Sequence, residues 1–130
     1  MRVLALDHGA ARCGCAISDP TGTLATPIEE VERPDAKAGL RRIAELVHQY
    51  EVERVVVGLP LRLAGGDSDQ TQAARAFARR VASVAEVPVE LFDERFTTVI
   101  AQRHGGRASE DSRAAAVLLQ SWLSQRGAAA

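Results

Sequence analysis

Two kinds of spacing between apolar runs constrain this chain more than any other feature. Val3-Leu4-Ala5-Leu6 is apolar throughout and stops at Asp7-His8-Gly9, the pattern of a strand buried on both faces and ended by a turn. Cys13 to Ser18 follows too soon for a helical crossover, so it returns beside the first strand as an antiparallel hairpin partner. Thr21-Gly22 turns the chain into a third strand, Leu24 to Val31, in which Pro27 has no N–H for a ladder and so belongs at a sheet edge. After Pro34 the period changes. Leu40, Ile43, Ala44 and Val47 mark one face of a helix from Asp35 to Tyr50. Val55-Val56-Val57 is a second fully apolar strand, stopped by Gly58-Leu59-Pro60. A loop through Ala64-Gly65-Gly66-Asp67-Ser68 leads to a helix with Ala74, Phe77, Ala78 and Val81 inward, and Val87 to Phe92 forms the fifth strand. A short helix from Thr97 to Arg103 and a longer one from Ser109 to Gln125 complete the order, with the last three alanines frayed.

A hairpin meander followed by two helical crossovers makes an α/β fold, a mixed sheet covered by helices. At 130 residues the chain is read as one domain, 1–130, because two would each be too small to bury a core. Its 46% apolar and 25% charged fractions are those of an ordinary globule, and no apolar run approaches the roughly 20 residues of a membrane span. The apolar start is too short for a signal peptide and Asp7 interrupts it, so a cytoplasmic location without membrane attachment is expected. Cys13 and Cys15 are too close for an ordinary disulfide and lack the partners of a zinc set, which leaves them as small buried hydrophobes.

Net charge is −1, which argues neither for nor against a nucleic-acid partner. Its distribution says slightly more. Acids exceed bases from Glu29 to Glu53, whereas from Arg95 onward five arginines face only Glu110 and Asp111. All the cationic residues but Lys37 are Arg, which forks phosphate better than Lys, although a biased genome would give the same composition.

The acids are the informative residues. Asp7 follows the first strand and Asp93-Glu94 the fifth. Right-handed crossovers make strands one, four and five parallel, so these acids emerge at one sheet edge, where ligands of such sheets bind. Asp111 lies on the last helix in line with Ala115, Leu118 and Trp122, which puts it on the core-facing stripe with Ser112 pointing away. Each acid also has a plain structural reading: Asp7 caps the turn with Gly9, Glu94 pairs with Arg95, and Asp111 complements a helix dipole. Three carboxylates gathered together repel one another unless cations neutralise them, and hard oxygen donors suit Mg²⁺ or Mn²⁺. Two such ions about 4 Å apart can activate a water and stabilise the leaving oxygen of a phosphodiester.

Four blocks together resemble the YqgF/RuvX family of Holliday junction resolvase-like and pre-16S ribosomal RNA nuclease proteins. They are Leu6-Asp7-His8-Gly9 continuing through Arg12 to Asp19, Val57-Gly58-Leu59-Pro60-Leu61, Asp93-Glu94-Arg95-Phe96-Thr97-Thr98, and Asp111 to Gln120. The Asp-Glu-Arg-x-Thr-Thr block is the most specific, since Asp-x-Gly alone also occurs in sugar kinases and actin-like ATPases. The resemblance implies a ribonuclease H-like fold, a mixed five-stranded sheet of order 3-2-1-4-5 with strand 2 antiparallel and helices flanking it. It also implies a metal-dependent endonuclease that processes the 5′ end of pre-16S rRNA or resolves branched DNA. Asp7, Glu94 and Asp111 would carry two Mg²⁺ or Mn²⁺ ions. For substrate binding, Gly9 and Gly14 would permit close backbone approach, Arg12 and Arg95 would contact phosphate, Thr97 and Thr98 would shape the turn or cap the short helix, and the protein would be a monomer or weak homodimer. Asp19 matches the family pattern but is assigned to the hairpin.

The chain departs from the family in three places. His8 replaces an apolar or aromatic residue, Arg62-Leu63-Ala64-Gly65 replaces an Asn-containing turn, and the segment from Thr98 to Asp111 is shortened and lacks a Lys-rich approach. That shortening keeps a second reading open, a structured-RNA-binding ribosome-assembly factor with little or no turnover. An ATP-binding reading of Asp7-His8-Gly9 would need a second domain to close over the nucleotide.

Overall fold

The computed structural model describes residues 1–60, 68–94 and 109–129. The strands are β1 (Val3–His8), β2 (Arg12–Ser18), β3 (Ala25–Glu32), β4 (Arg54–Leu59) and β5 (Val89–Asp93). The helices are α1 (Lys37–Gln49), α2 (Asp69–Ala85) and α3 (Glu110–Ala129). The sheet order is β3-β2-β1-β4-β5, with β2 antiparallel to both neighbours and β1, β4 and β5 parallel. This is the expected mixed sheet, and Pro27 sits on its outermost strand, opposite Ala16. The short helix expected over Thr97 to Arg103 and the segments around Arg62 and His104 lie outside the described residues. α3 runs on through Ala128 and Ala129, which were expected to fray.

Strand alternation divides the core into two layers. Leu4, Leu6, Cys13, Cys15, Ile17, Val55 and Val57 face α1 and α2, where Ile43, Leu46, Phe77 and Val81 meet them. Val3, Ala5, Ala16, Ala25 and Val56 face α3, which answers with Ala115, Ala116, Leu118, Leu119 and Trp122. Small residues on both sides of that second layer let the helix lie close to the sheet. Both cysteines are buried and unpaired, as expected for small hydrophobes. Ser68 begins α2 with a reciprocal capping box, accepting from the Thr71 N–H while the Thr71 hydroxyl takes the Ser68 N–H.

Asp19 organises the β2–β3 turn, its carboxylate accepting from the Thr21 hydroxyl and the N–H groups of Thr23 and Leu24. Those donors hold its pKa down at about 2, so its role is in the hairpin.

Candidate active site

The two-residue period that builds the core also sorts the polar residues at the strand ends. Beyond Val3 and Ala5, the next position on the α3 face of β1 is Asp7. Beyond Val56 it is Gly58, and beyond Phe92 it is Glu94. Because β1, β4 and β5 are parallel, all three arrive at the same sheet end. Glu94 folds back over β4, and Gly58 makes this possible: a Cβ there would stand 2.6 Å from Glu94 Oε1. Asp7 and Glu94 thereby come close enough to influence each other's ionisation.

That contact governs their protonation. Burial first, then the Asp7 charge and the hydrogen bond to it, pushes Glu94 from 4.5 up to about 7. Burial also raises Asp7, opposed by the Glu94 hydrogen bond and reinforced by the charge of Asp111. Two partly buried acids that resist ionising together, with a third negative charge in electrostatic reach, form a site with a deficit of positive charge.

Asp111 departs from the expectation in its orientation. It was expected on the core-facing stripe with Ser112 turned away; instead Ser112 is fully buried and Asp111 exposed. The reason lies on β2. Gly14 is buried under the first turn of α3, where a Cβ would stand 1.9 Å from the Asp111 carbonyl oxygen. The helix backbone rests directly on the strand there, and Ser112 is the residue whose side chain enters the contact. Its hydroxyl accepts the Cys15 N–H at 3.1 Å, beside the irregularity in the β2–β3 register between Cys13 and Cys15. Asp111 is left at the sheet end with its side chain outward.

A cleft of about 370 Å³ opens at this end, with Asp7, Glu94, Gly58, Gly9 and Ala10 in its walls and Ala73 of α2 opposite. Asp111 is not part of the wall. Among the described residues no three His, Cys, Asp or Glu side chains stand together as a finished metal cage. Gly9 carries the tight β1–β2 turn, its N–H donating to the Arg12 carbonyl at 2.9 Å, and Arg12 is exposed just beyond. The close approach that Gly14 allows is to α3. Arg95, Thr97 and Thr98 lie outside the described residues.

His8 points to the other face of the sheet. Its Nε2 lies 2.7 Å from Asp35 Oδ2, its ring stacks on Phe77 at 4.4 Å, and Arg80 takes the other Asp35 oxygen at 3.0 Å. The ring is built into the packing between β1, α1 and α2.

Sequence reasoning missed two residues of this site, Gly58 and Ser112. A glycine inside an apolar strand is a signal for close approach, but the approaching group was not visible. Nothing in the pattern of α3 separated Ser112 from Asp111.

Comparison with known proteins follows the same lines. A family model described as "RuvX: Holliday junction resolvase" matches residues 1–125. A protein of Mycobacteroides abscessus named "Putative pre-16S rRNA nuclease" is 47% identical, over 96% of this chain and 82% of its own length. Among solved structures, T. thermophilus RuvC in complex with Holliday junction substrate superposes with a TM-score of 0.66 at 17% identity, covering 100% of this chain and 98% of that one. The fowlpox virus Holliday junction resolvase gives a TM-score of 0.58 at 15% identity, covering 96% and 99%. These two likenesses show the ribonuclease H-like fold of RuvC-type resolvases. With its family pattern matched over nearly its full length and a relative almost half identical to it, the protein belongs to the RuvX family.

Proposed function

We propose that this protein is a divalent-metal-dependent nuclease acting on structured nucleic acid, with Asp7, Glu94 and Asp111 as its catalytic acids. End maturation of pre-16S rRNA is the task its relatives' names favour. The observation that carries the reading is the convergence of Asp7 and Glu94 over Gly58: two partly buried carboxyls line one cleft at the sheet end, under the added charge of Asp111. Asp7 and Glu94 would hold a hard cation there to offset the uncompensated negative charge, and all-oxygen donors suit Mg²⁺ or Mn²⁺.

In this reading Asp7 and Glu94 hold the ions, and Asp111 joins them by a rotation of its exposed side chain. When bound, such ions activate a water and stabilise the leaving oxygen of a phosphodiester. The chain's own contribution is placement. Gly58 admits Glu94, while Gly14 and Ser112 seat the helix that carries Asp111. Arg12, next to the cleft turn, contacts substrate phosphate, and Arg95, Thr97 and Thr98 continue that contact. No helix among the described residues is long and apolar enough to cross a membrane.

The test is cleavage of a structured RNA and of a four-way DNA junction by purified protein with Mg²⁺ or Mn²⁺. Asp7→Asn should abolish cleavage while leaving the circular dichroism spectrum unchanged. A variant cutting as fast as the parent would show the acids to be misassigned. Binding without cleavage across both substrates and both metals would favour the assembly-factor reading instead.

A further inference from the structure

The cations of the described residues fall into two groups. Arg42 is engaged by Glu29 and Glu45, Arg54 by Glu90, and Arg80 by Asp35. Arg12, Arg33 and Lys37 are exposed without an ion-pair partner among the described residues, as are Arg41, Arg79 and Arg113. Arg12, Arg33 and Lys37 are neighbours in the fold. The Arg33 N–H donates to the Ala11 carbonyl at 2.9 Å, which sets Arg33 beside Arg12 at the β1–β2 turn. Lys37 opens α1 one turn of chain later. The nearby acids do not neutralise them. Both oxygens of Asp35 are taken, one by His8 and one by Arg80. Glu32 stands opposite Arg12 in the ladder but makes no ion pair with it.

Arg33 is also strained. Its φ of +47° is in the left-handed region, where glycine is relaxed and a long side chain is not. The surrounding backbone enforces this conformation: the Arg33 carbonyl accepts the Ala36 N–H at 3.0 Å, and Gly39 of α1 packs so tightly on it that a Cβ there would stand 2.1 Å away. Glycine would be easier there, as it would at Glu51 and Glu86, whose φ is also positive; Arg33 differs from them in adjoining the β1–β2 turn. The β1–β2 turn beside Arg33 adjoins the cleft, since Gly9 and Ala10 form part of its wall.

We propose that Arg33 and Lys37 extend the phosphate contact of Arg12 into a rim that grips the backbone of a nucleic acid, continuous with the cleft through the β1–β2 turn. It rests on the nuclease reading and extends it. The cleft would hold the scissile phosphate, and the rim would grip a flanking stretch of the same substrate without reading its sequence. Arginine and lysine without partners, fixed by a rigid turn, supply what such a grip needs.

The test is the salt dependence of binding to a four-way DNA junction and to an RNA hairpin, in metal-free buffer so that neither is cut. Each neutralised duplex phosphate contributes about 0.9 to the slope of log affinity on log salt, so Arg33→Gln with Lys37→Gln should lower the slope by about 1.8. Arg2→Gln, at the opposite end of β1, should lower it by less than about 0.5. Arg33→Gly should lower the slope by about 0.9 while its Tm stays level or rises, because the strained turn is relieved. A slope unchanged in the double variant, with a parent that binds and cleaves, would overturn the rim and leave the nuclease reading standing. A parent that binds neither nucleic acid would overturn both. A lower Tm for Arg33→Gly with an unchanged slope would make Arg33 a structural residue and end the proposal.

Discussion

Glu94→Gln should make the metal-free protein more stable in alkaline buffer while destroying its activity. Glu94 is raised from 4.5 to about 7, so the folded state binds its proton more tightly than the unfolded chain does. Its contribution is fully present below 4.5 and is lost as pH climbs through about 7, where the acid must ionise against burial and Asp7. At 1.36 kcal/mol per pH unit the loss is roughly 3 kcal/mol at most, and solvent screening of this partly exposed group reduces it to about 1.5 kcal/mol. Gln has the same shape, can donate to Asp7, and never carries the charge. Unfolding a chain of this size has an entropy near 0.27 kcal/mol/K, so the variant should melt about 6 °C higher than the parent. The assay is thermal unfolding by circular dichroism with chelator, at about pH 3.5 and about pH 8.5, where the gain should be absent and full respectively. Mg²⁺ at the higher pH should raise the parent and leave the variant unmoved. An equal Tm difference at both pH values, or a variant less stable at the higher one, would refute the reasoning.

Three substitutions separate placement from packing. Gly58→Ala sets a Cβ against the movable end of Glu94, so stability should change by less than about 1 kcal/mol while cleavage falls on the order of 100-fold; equal activity would show that Glu94 is not held there. Gly14→Ala meets helix backbone, which cannot yield as a side chain does; denaturant unfolding should show a loss of about 2–3 kcal/mol together with lost cleavage, and a neutral result would contradict the seating of α3. Ser112→Ala leaves the buried Cys15 N–H without its acceptor and should lower stability by about 1–3 kcal/mol, with hydrogen exchange at Cys15 accelerated; unchanged exchange would remove the anchoring role.

What could be read from the sequence was what chain spacing alone determines. The gap between Leu6 and Cys13 admits only a hairpin, Pro27 can sit only at an edge, and the separations of Val31, Val55 and Val89 require helical crossovers. Sheet order and the common end of Asp7 and Glu94 follow from those facts and from the handedness of crossovers. The orientation of α3 did not follow. Helical periodicity supplies a stripe, and Ala115, Leu118 and Trp122 are indeed buried. Where the sheet lies within that stripe depends on the missing Cβ of Gly14, a residue on another strand nearly a hundred positions away. The Asp7–Glu94 contact was likewise beyond periodicity, because it needs a gap in β4 that only Gly58 leaves.

Crystals soaked in Mn²⁺ and measured for anomalous scattering would test the convergence of Asp7, Glu94 and Asp111 most directly. Metal peaks bonded to all three carboxylates are expected, with the Asp111 side chain turned inward from its exposed position. Metal held by Asp7 and Glu94 with Asp111 still facing solvent, or no metal at the cleft, would contradict that convergence.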